Sequence, residues 1–217
     1  MAEIVGGRLY GDSTVEIDDV RSAESAGPSH ITFARGIYAE HIEEMKAGVI
    51  LVDELPAHYT KNLIVVPDCR RSFGQLVDLY HPESHYTPGI HPTAVVSDKA
   101  VIGKNVCIMP YAVIDDGARI GDGTVIFPYT YVGKNAQIGK DCEINPGCVI
   151  HENSVLGDRV VLRAHAVVGG QGFGFSTDEK GHHHHIRQLG KAVISDDCEL
   201  GAGSAVDNGA LNDTVVG

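Results

Sequence analysis

From Ile90 onward an aliphatic residue returns at every sixth position, and few folds accept that spacing. The series runs Ile90, Val96, Ile102, Ile108, Ile114, Ile120, Ile126 and Val132, then Ile138, Ile144, Ile150, Leu156, Leu162 and Val168. All 14 positions are aliphatic and 12 are Ile or Val, which rules out accident. Four residues after each step stands a second, mostly small residue, among them Ala112, Ala118, Thr124, Thr130, Ala136, Cys142, Cys148, Ser154 and Ala166. A strict period of six fits no α-helix, and simple two-residue alternation does not demand Ile or Val so regularly. The pattern calls for a triangular coil. Each repeat supplies a short strand and a corner, three repeats complete a turn, and stacked turns bury the aliphatic ladder.

The small residues are expected at tight corners. The glycines that directly follow the ladder (Gly103, Gly121, Gly133, Gly139 and Gly157) are expected to use backbone angles closed to other residues. The period breaks once: from Val168 the next position in phase is Ile194, so 20 extra residues leave the coil, giving an excursion at about 169–193. It resumes with Ile194, Leu200 and Val206, whose corner residues are Cys198, Ser204 and Ala210, before a smaller irregularity over 207–213. Loops thrown out of a rigid scaffold are where binding sites usually sit.

The first 85 residues carry no such phase. Tyr38 to Lys46 reads as a short helix with Tyr38, Ile42 and Met45 on one face and Gly48 as its C-terminal stop. Val49–Val52 and Leu63–Val66 are continuous apolar runs expected as buried strands, and Arg71–Tyr80 reads as a second helix. Residues 2–7 look like the last turn of a helix with its glycine cap. The organisation expected is a small α/β domain over 1–85, a turn-rich linker over 81–89, and the coil over 86–217.

Composition narrows the classes of function. A net charge of −12 opposes a nucleic-acid partner, whose phosphates need clustered Lys and Arg, and gives no polybasic membrane patch. No apolar segment approaches the roughly 20 residues that span a bilayer, and no leader peptide is evident. Five cysteines without a compact framework fit reduced thiols in the cytoplasm.

The order of parts carries a resemblance. Val5-Gly6-Gly7, Ser25-Ala26-Gly27-Pro28 leading to Ile31-Thr32-Phe33, and Lys46 to Val52 come first. Pro88 to Val95, Gly172-Phe173-Gly174-Phe175, Gln188-Leu189-Gly190 and Gly209 to Thr214 complete the set. Together these segments resemble the UDP-3-O-acylglucosamine N-acyltransferases (LpxD) of lipid A biosynthesis, within the hexapeptide-repeat acyltransferases. The resemblance implies a mainly β protein, a left-handed parallel β-helix preceded by a small α/β uridine-binding domain, working as a cytoplasmic homotrimer. It implies transfer of a 3-hydroxyacyl group from acyl carrier protein to the 2-amine of a UDP-3-O-acyl-glucosamine. No cofactor or metal is bound, because the acyl donor arrives on the carrier's phosphopantetheine.

Three departures accompany it. The family's catalytic His lies in an Ile-Ala-His-Asn segment after the Gly-Ala-Leu-x-Asp-Thr run, and neither it nor its supporting Asp occurs in these residues. The sequence reads as truncated at both ends, and no catalytic residue is assigned within it. The uracil loop resembles Phe-x-x-Asn-Pro-x-Tyr, yet Phe33-Ala34-Arg35-Gly36-Ile37-Tyr38 is one residue shorter and lacks the Asn. Asn208 stands where the family has an Arg.

The candidate substrate-binding residues are therefore Phe33 and Tyr38, sandwiching the base, and Gly172, Phe173, Gly174 and Phe175, lining a sugar or acyl pocket. Plain packing is the competing reading for Phe33 and Tyr38, and anchoring of the loop for Gly172–Phe175. His182–His185 read as an exposed polar tip rather than a metal site, and His151 and His165 as surface or subunit-interface residues rather than a base or metal ligands. Cys142, Cys148 and Cys198 fill small-residue slots, and Cys69 and Cys107 show no activating partner. Asp115-Asp116 and Asp196-Asp197 read as solvated corners. Arg159, Arg163, Arg187 and Lys191 are candidates for docking an acidic carrier. Two alternatives stay open: a non-catalytic trimeric scaffold binding sugar nucleotides, and a γ-carbonic-anhydrase-like metalloenzyme.

Overall fold

The computed structural model describes residues 1–82 and 86–217. Glu83, Ser84 and His85 of the expected linker lie outside the described residues. The chain divides into two compact units, Met1–His85 and Tyr86–Gly217.

The first unit is built on strands β1 (Arg8–Tyr10), β2 (Asp19–Val20), β3 (His30–Ala34), β4 (Val49–Val52) and β5 (Leu63–Val65). Their order across the sheet is β1-β5-β4-β3-β2, parallel throughout except for β1 against β5. All four residues of β4 are buried, as a strand covered on both faces requires. One face packs Ile31, Leu51 and Ile64 against helix α1 (Cys69–Tyr80), through Cys69, Phe73 and Leu76. The other packs Ala34, Ile50 and Leu63 against Ile42 and Met45.

Helix α1 starts two residues earlier than the apolar periodicity indicates. Asp68 caps it, its side chain accepting from the backbone N–H groups of Arg70 and Arg71, a contact worth about 1 kcal/mol. The segment expected as a short helix over Tyr38–Lys46 is a 3-10 helix over Gly36–Glu44, kinked at His41 and ended at Met45. Gly48 does not stop it. A Cβ there would lie 1.9 Å from the Pro28 carbonyl oxygen, so Gly48 permits a close backbone approach instead. Residues 2–6 form the expected turn, with Gly6 at φ 63° and the Gly7 N–H donating to the Ala2 carbonyl.

The second unit is the coil. Eighteen two- to four-residue strands form three six-stranded parallel sheets, each strand pairing with the one a full turn away. The first face holds ladder residues Ile90, Ile108, Ile126, Ile144, Leu162 and Leu200; the second holds Val96, Ile114, Val132, Ile150, Val168 and Val206. The third holds Ile102, Ile120, Ile138, Leu156, Ile194 and Val216. From Ile108 to Val168 every ladder residue is buried, whereas Ile90 at the coil's start is 51% exposed.

Backbone angles correct the corner reading. The left-handed residue comes three positions after the ladder: Asn105, Tyr111, Tyr129, Asn135, Asp141, Asn153, Arg159, His165 and Asp197 have φ between 52° and 62°. Gly117, Gly123, Gly147 and Gly203 share this geometry, whereas Thr93 and Lys99, at the same place in the first turn, do not. The small residues point inward one position later. Gly121 and Gly139, directly after the ladder, do not have positive φ; a Cβ there would lie 2.4 and 2.3 Å from the carbonyl oxygens of Gly139 and Gly157. These glycines let successive turns stack closely. Ala210 is also not a corner residue. Ile194 pairs with Val216, so the 207–213 irregularity adds four residues, leaving Ala210 exposed and Thr214 in the slot.

Outward side chains set the second face apart from the other two. Val95, Val113, Tyr131, Val149, Val167 and Ala205 are all apolar, whereas the first face shows Glu143 and Glu199 and the third Arg119 and Gln137. Tyr111 and Tyr129 stack at the corner entering that face, with ring centroids 5.3 Å apart and planes 13° from parallel.

Candidate functional site

Both interruptions of the coil follow the second face, after Val168 and after Val206, and they meet. The Asn208 N–H donates to the Gly170 carbonyl at 2.8 Å, Leu189 to Ala210 at 2.9 Å, and Gly190 to Gly209 at 3.0 Å. Lys191 N–H donates to the Asp213 carboxylate at 3.1 Å, and Thr214 N–H to the Lys191 carbonyl at 2.9 Å. A Cβ on Gly190 would lie 2.0 Å from the Asn212 oxygen, so the junction is tightly closed. From this root the longer excursion extends as an antiparallel hairpin, Phe175–Thr177 with His183–His185.

The Gly172–Phe175 segment forms the hairpin's approach. Phe173 and Phe175 lie 5.0 Å apart, Phe175 meets the His185 ring edge-on at 5.1 Å, and Phe173 is 95% exposed. With Thr177 and His183 the two phenylalanines line a 440 Å³ cavity. A Cβ on Gly174 would lie 2.7 Å from Gln188 Nε2, and the Gly174 carbonyl accepts from Ile186 N–H at 2.8 Å. The structure thus gathers the two aromatics into a wall and uses the glycines for close approach.

Asp178 organises the hairpin's turn. Its carboxylate accepts from the backbone N–H groups of Lys180 and His182 and meets the His182 and His184 rings at 3.3 and 3.1 Å. The His184 contact foremost, then the His182 N–H, holds this carboxyl below its ordinary value. A group held low in the fold stabilises it above its unfolded pKa and loses that contribution as pH falls through the folded one. The hairpin amide signals are therefore expected to hold in NMR spectra down to about pH 4 and to shift only below it; loss well above that would contradict the clamp.

The two residues expected to sandwich a base are not brought together. Phe33 packs on the α1 side against Phe73, centroids 5.0 Å apart. Tyr38 lines a 210 Å³ cavity with Ala26 and Met45, which belong to the opposite side of the sheet. Arg35 is extended and Gly36 turns the chain at φ 61°, placing the two rings on different faces. The Tyr38 hydroxyl donates to Glu24, which lowers the Glu24 carboxyl and raises the tyrosine.

Cys142 and Cys148 occupy interior slots with thiols pushed up by burial, and burial together with Asp53 pushes Cys69 up to about 12. His165 is an exposed corner residue and His151 is half-buried; among the described residues no group of three or more His, Cys, Asp or Glu side chains is placed to hold a metal ion. The aspartates read as solvated corners partly form ion pairs between turns, Asp116 with Lys99 at 2.6 Å and Asp197 with Arg159 at 2.6 Å. Of the candidate docking cations, Arg159 is thus held by Asp197, and Arg163 lies 2.6 Å from Glu199. Arg187 and Lys191 instead line a polar 230 Å³ cavity at the hairpin's root with Glu152, Gln171 and Asn208. The Asn208 Oδ1 is buried without a hydrogen-bond partner, at a cost of about 1–3 kcal/mol. Gln188-Leu189-Gly190, Asn208, Arg187 and Lys191, each singled out in the sequence, line this cavity, but no motif grouped them. Its one signal was that both breaks share a phase, since Val168 and Val206 are paired neighbours on one face.

Fold and site define a hexapeptide-repeat β-helix protein whose second face carries a clamped hairpin arm with an aromatic cavity. The family model described as UDP-3-O-(3-hydroxymyristoyl) glucosamine N-acyltransferase, LpxD, matches residues 14–79, and the GMPPB C-terminal domain model matches residues 87–173. A UDP-3-O-acylglucosamine N-acyltransferase of Pseudomonas fluorescens is 42% identical over the whole chain, and one of Coxiella burnetii 38%. The chain spans 62% and 64% of those relatives' lengths. Similarity to the UDP-3-O-acylglucosamine N-acyltransferases thus runs along the whole chain. Among solved structures, perosamine N-acetyltransferase from Caulobacter crescentus aligns with 85% of the chain and 91% of its own, at 19% identity and a TM-score of 0.46. Among the described residues no helix is long and apolar enough to cross a membrane.

Proposed function

We propose that the chain serves the transfer of a 3-hydroxyacyl group from acyl carrier protein to the 2-amine of UDP-3-O-acyl-glucosamine, as a cytoplasmic homotrimer in lipid A biosynthesis. The observation that carries this reading is the whole-chain identity of 42% to an enzyme named for that acceptor. In the reaction the amine nitrogen attacks the thioester carbonyl, a C–N bond forms, and the C–S bond breaks. The amine's proton passes by a general base to the departing thiol, and backbone N–H groups steady the oxyanion.

Within that reaction these residues supply binding. Phe173 and Phe175, with Gly172 and Gly174 shaping their approach, form an apolar wall suited to an acyl chain. Tyr38 offers the nucleobase an exposed ring, while Phe33 supports the sheet beneath α1. The apolar second face supports self-association, because a row of outward Val and Tyr side chains is more stable when covered.

Product formation decides the matter. Incubation with 3-hydroxyacyl carrier protein and UDP-3-O-acyl-glucosamine, followed by mass spectrometry, is expected to yield the amide from a polypeptide joining these residues to an Ile-Ala-His-Asn segment. A second reading is a non-catalytic sugar-nucleotide scaffold. Acceptor binding without amide would favour the scaffold, and no binding at all would overturn both.

A further inference from the structure

We propose that the outer side of the coil's first two turns is a site for a soft monovalent metal ion, Cu(I), held by Cys107, Met109 and His91. On the first face the ladder residues Ile90 and Ile108 point inward, so strand alternation turns their neighbours outward. Gly89 pairs with Cys107 across adjacent strands. The same register sets His91 beside Met109, and the His91 N–H donates to the Ile108 carbonyl at 2.8 Å. All three donors line one 290 Å³ cavity whose walls include Ile90, Pro92 and Pro110. Among the described residues no carboxylate, lysine or arginine lines it. A thiol, a thioether and an imidazole without a carboxylate select a soft cation over calcium or magnesium.

The surroundings suit such an ion. Neighbouring strands lie about 4.8 Å apart, which brings the His91 and Met109 side chains within reach of one metal. Cys107 stands two residues before Met109 on the same side. Opposite it, Gly89 has no side chain, and a Cβ there would meet nothing within 4 Å, so room remains beside the buried thiol. The His91 ring is held through Nδ1, 2.9 Å from the Thr93 hydroxyl and 3.3 Å from the Thr93 N–H, which leaves Nε2 for a metal. The Cys107 and Met109 N–H groups donate to the Thr124 and Ile126 carbonyls at 3.0 and 2.9 Å, so the donors sit on fixed backbone. Phe127 follows Met109 along the same outward column and meets Tyr86 edge-on at 5.1 Å, bordering the site with aromatic rings. Burial pushes the Cys107 thiol up; as the Cu–S bond forms, the thiol's proton passes to solvent. An ion so placed staples the first turn, whose Ile90 is 51% exposed, to the second.

Anaerobic titration of the full chain with Cu(I), in competition with the chelator bicinchoninate, tests the assignment. One tightly held Cu(I) per chain is expected, with X-ray absorption showing two sulfur neighbours and one nitrogen. Met109→Leu conserves volume and is expected to weaken Cu(I) by more than the roughly tenfold cost of losing an outer-shell partner. Cys107→Ser is expected to remove the binding, and replacing His182–His185 by serine to leave it unchanged. Met109→Leu and His91→Gln keep the buried thiol in place, so they carry the test even if Cys107→Ser folds poorly. Cu(I) is also expected to raise the thermal midpoint of the parent chain, because it binds the folded state. A chain that yields all its Cu(I) to the chelator, unchanged affinity in Met109→Leu, or loss of binding with the hairpin histidines overturns the site. Zn(II) held more tightly than Cu(I) overturns the soft-ion assignment.

Discussion

Ile144→Ala is expected to lower the unfolding free energy by about 3 kcal/mol, within the 2–5 kcal/mol seen when buried Ile becomes Ala, whereas Ile90→Ala is expected to cost under about 1 kcal/mol because little is lost from an exposed side chain. The two residues hold the same position in the repeat and lie on the same face. Ile144 is fully buried between turns, and Ile90 is 51% exposed at the coil's start. Deleting the Ile144 side chain leaves a void that the rigidly stacked neighbours cannot close, since Gly121 and Gly139 already bring successive turns into contact. Chemical denaturation with a common slope for both variants checks the contrast. Equal losses would mean that repeat position, rather than burial within the stack, sets stability.

Val113→Asp is expected to convert an association of three chains into single chains of 23.1 kDa, read by light scattering on a sizing column. Val113 is the second of six outward residues on the one face where all are apolar, flanked by Val95 and Tyr131. A carboxylate desolvated against another copy's valines has no partner there, and burying an unpaired charge is among the costliest single changes. Val125→Asp, on the first face beside Glu143, is expected to leave the association intact. Dissociation by both variants, or by neither, would place the interface elsewhere.

These two expectations show what kinds of information the chain displays openly. The coil was legible because one environment repeats: each ladder position sees the same interior, so six-residue spacing exposes face, register and both interruptions. Conformation within the repeat was less legible. A glycine after Ile120 has the same letter whether it serves positive φ or close stacking, and only the coordinates show the second for Gly121, with left-handed geometry passing to Gly123. The first unit has no repeat to average over. Its strands β1 and β2 contain three and two residues, too few for periodicity, and Asp68 acts as a cap through a single side chain.

The binding residues divided along the same line. Phe173 and Phe175 are two apart on one extended segment and converge on one cavity. Phe33 and Tyr38 are five apart across a change of direction at Gly36, and linear spacing cannot report which face each ring takes. Arg187, Lys191 and Asn208 come from two separate excursions, so their meeting needed the root's backbone hydrogen bonds to become visible.

Calorimetric titration of the chain with UDP-3-O-acyl-glucosamine measures acceptor binding directly. Saturable binding of one molecule per chain is predicted, weakened at least tenfold by Phe173→Ala/Phe175→Ala and by Tyr38→Ala. A folded, associated chain that takes up no UDP-3-O-acyl-glucosamine, or binds it equally well after those substitutions, would contradict the account.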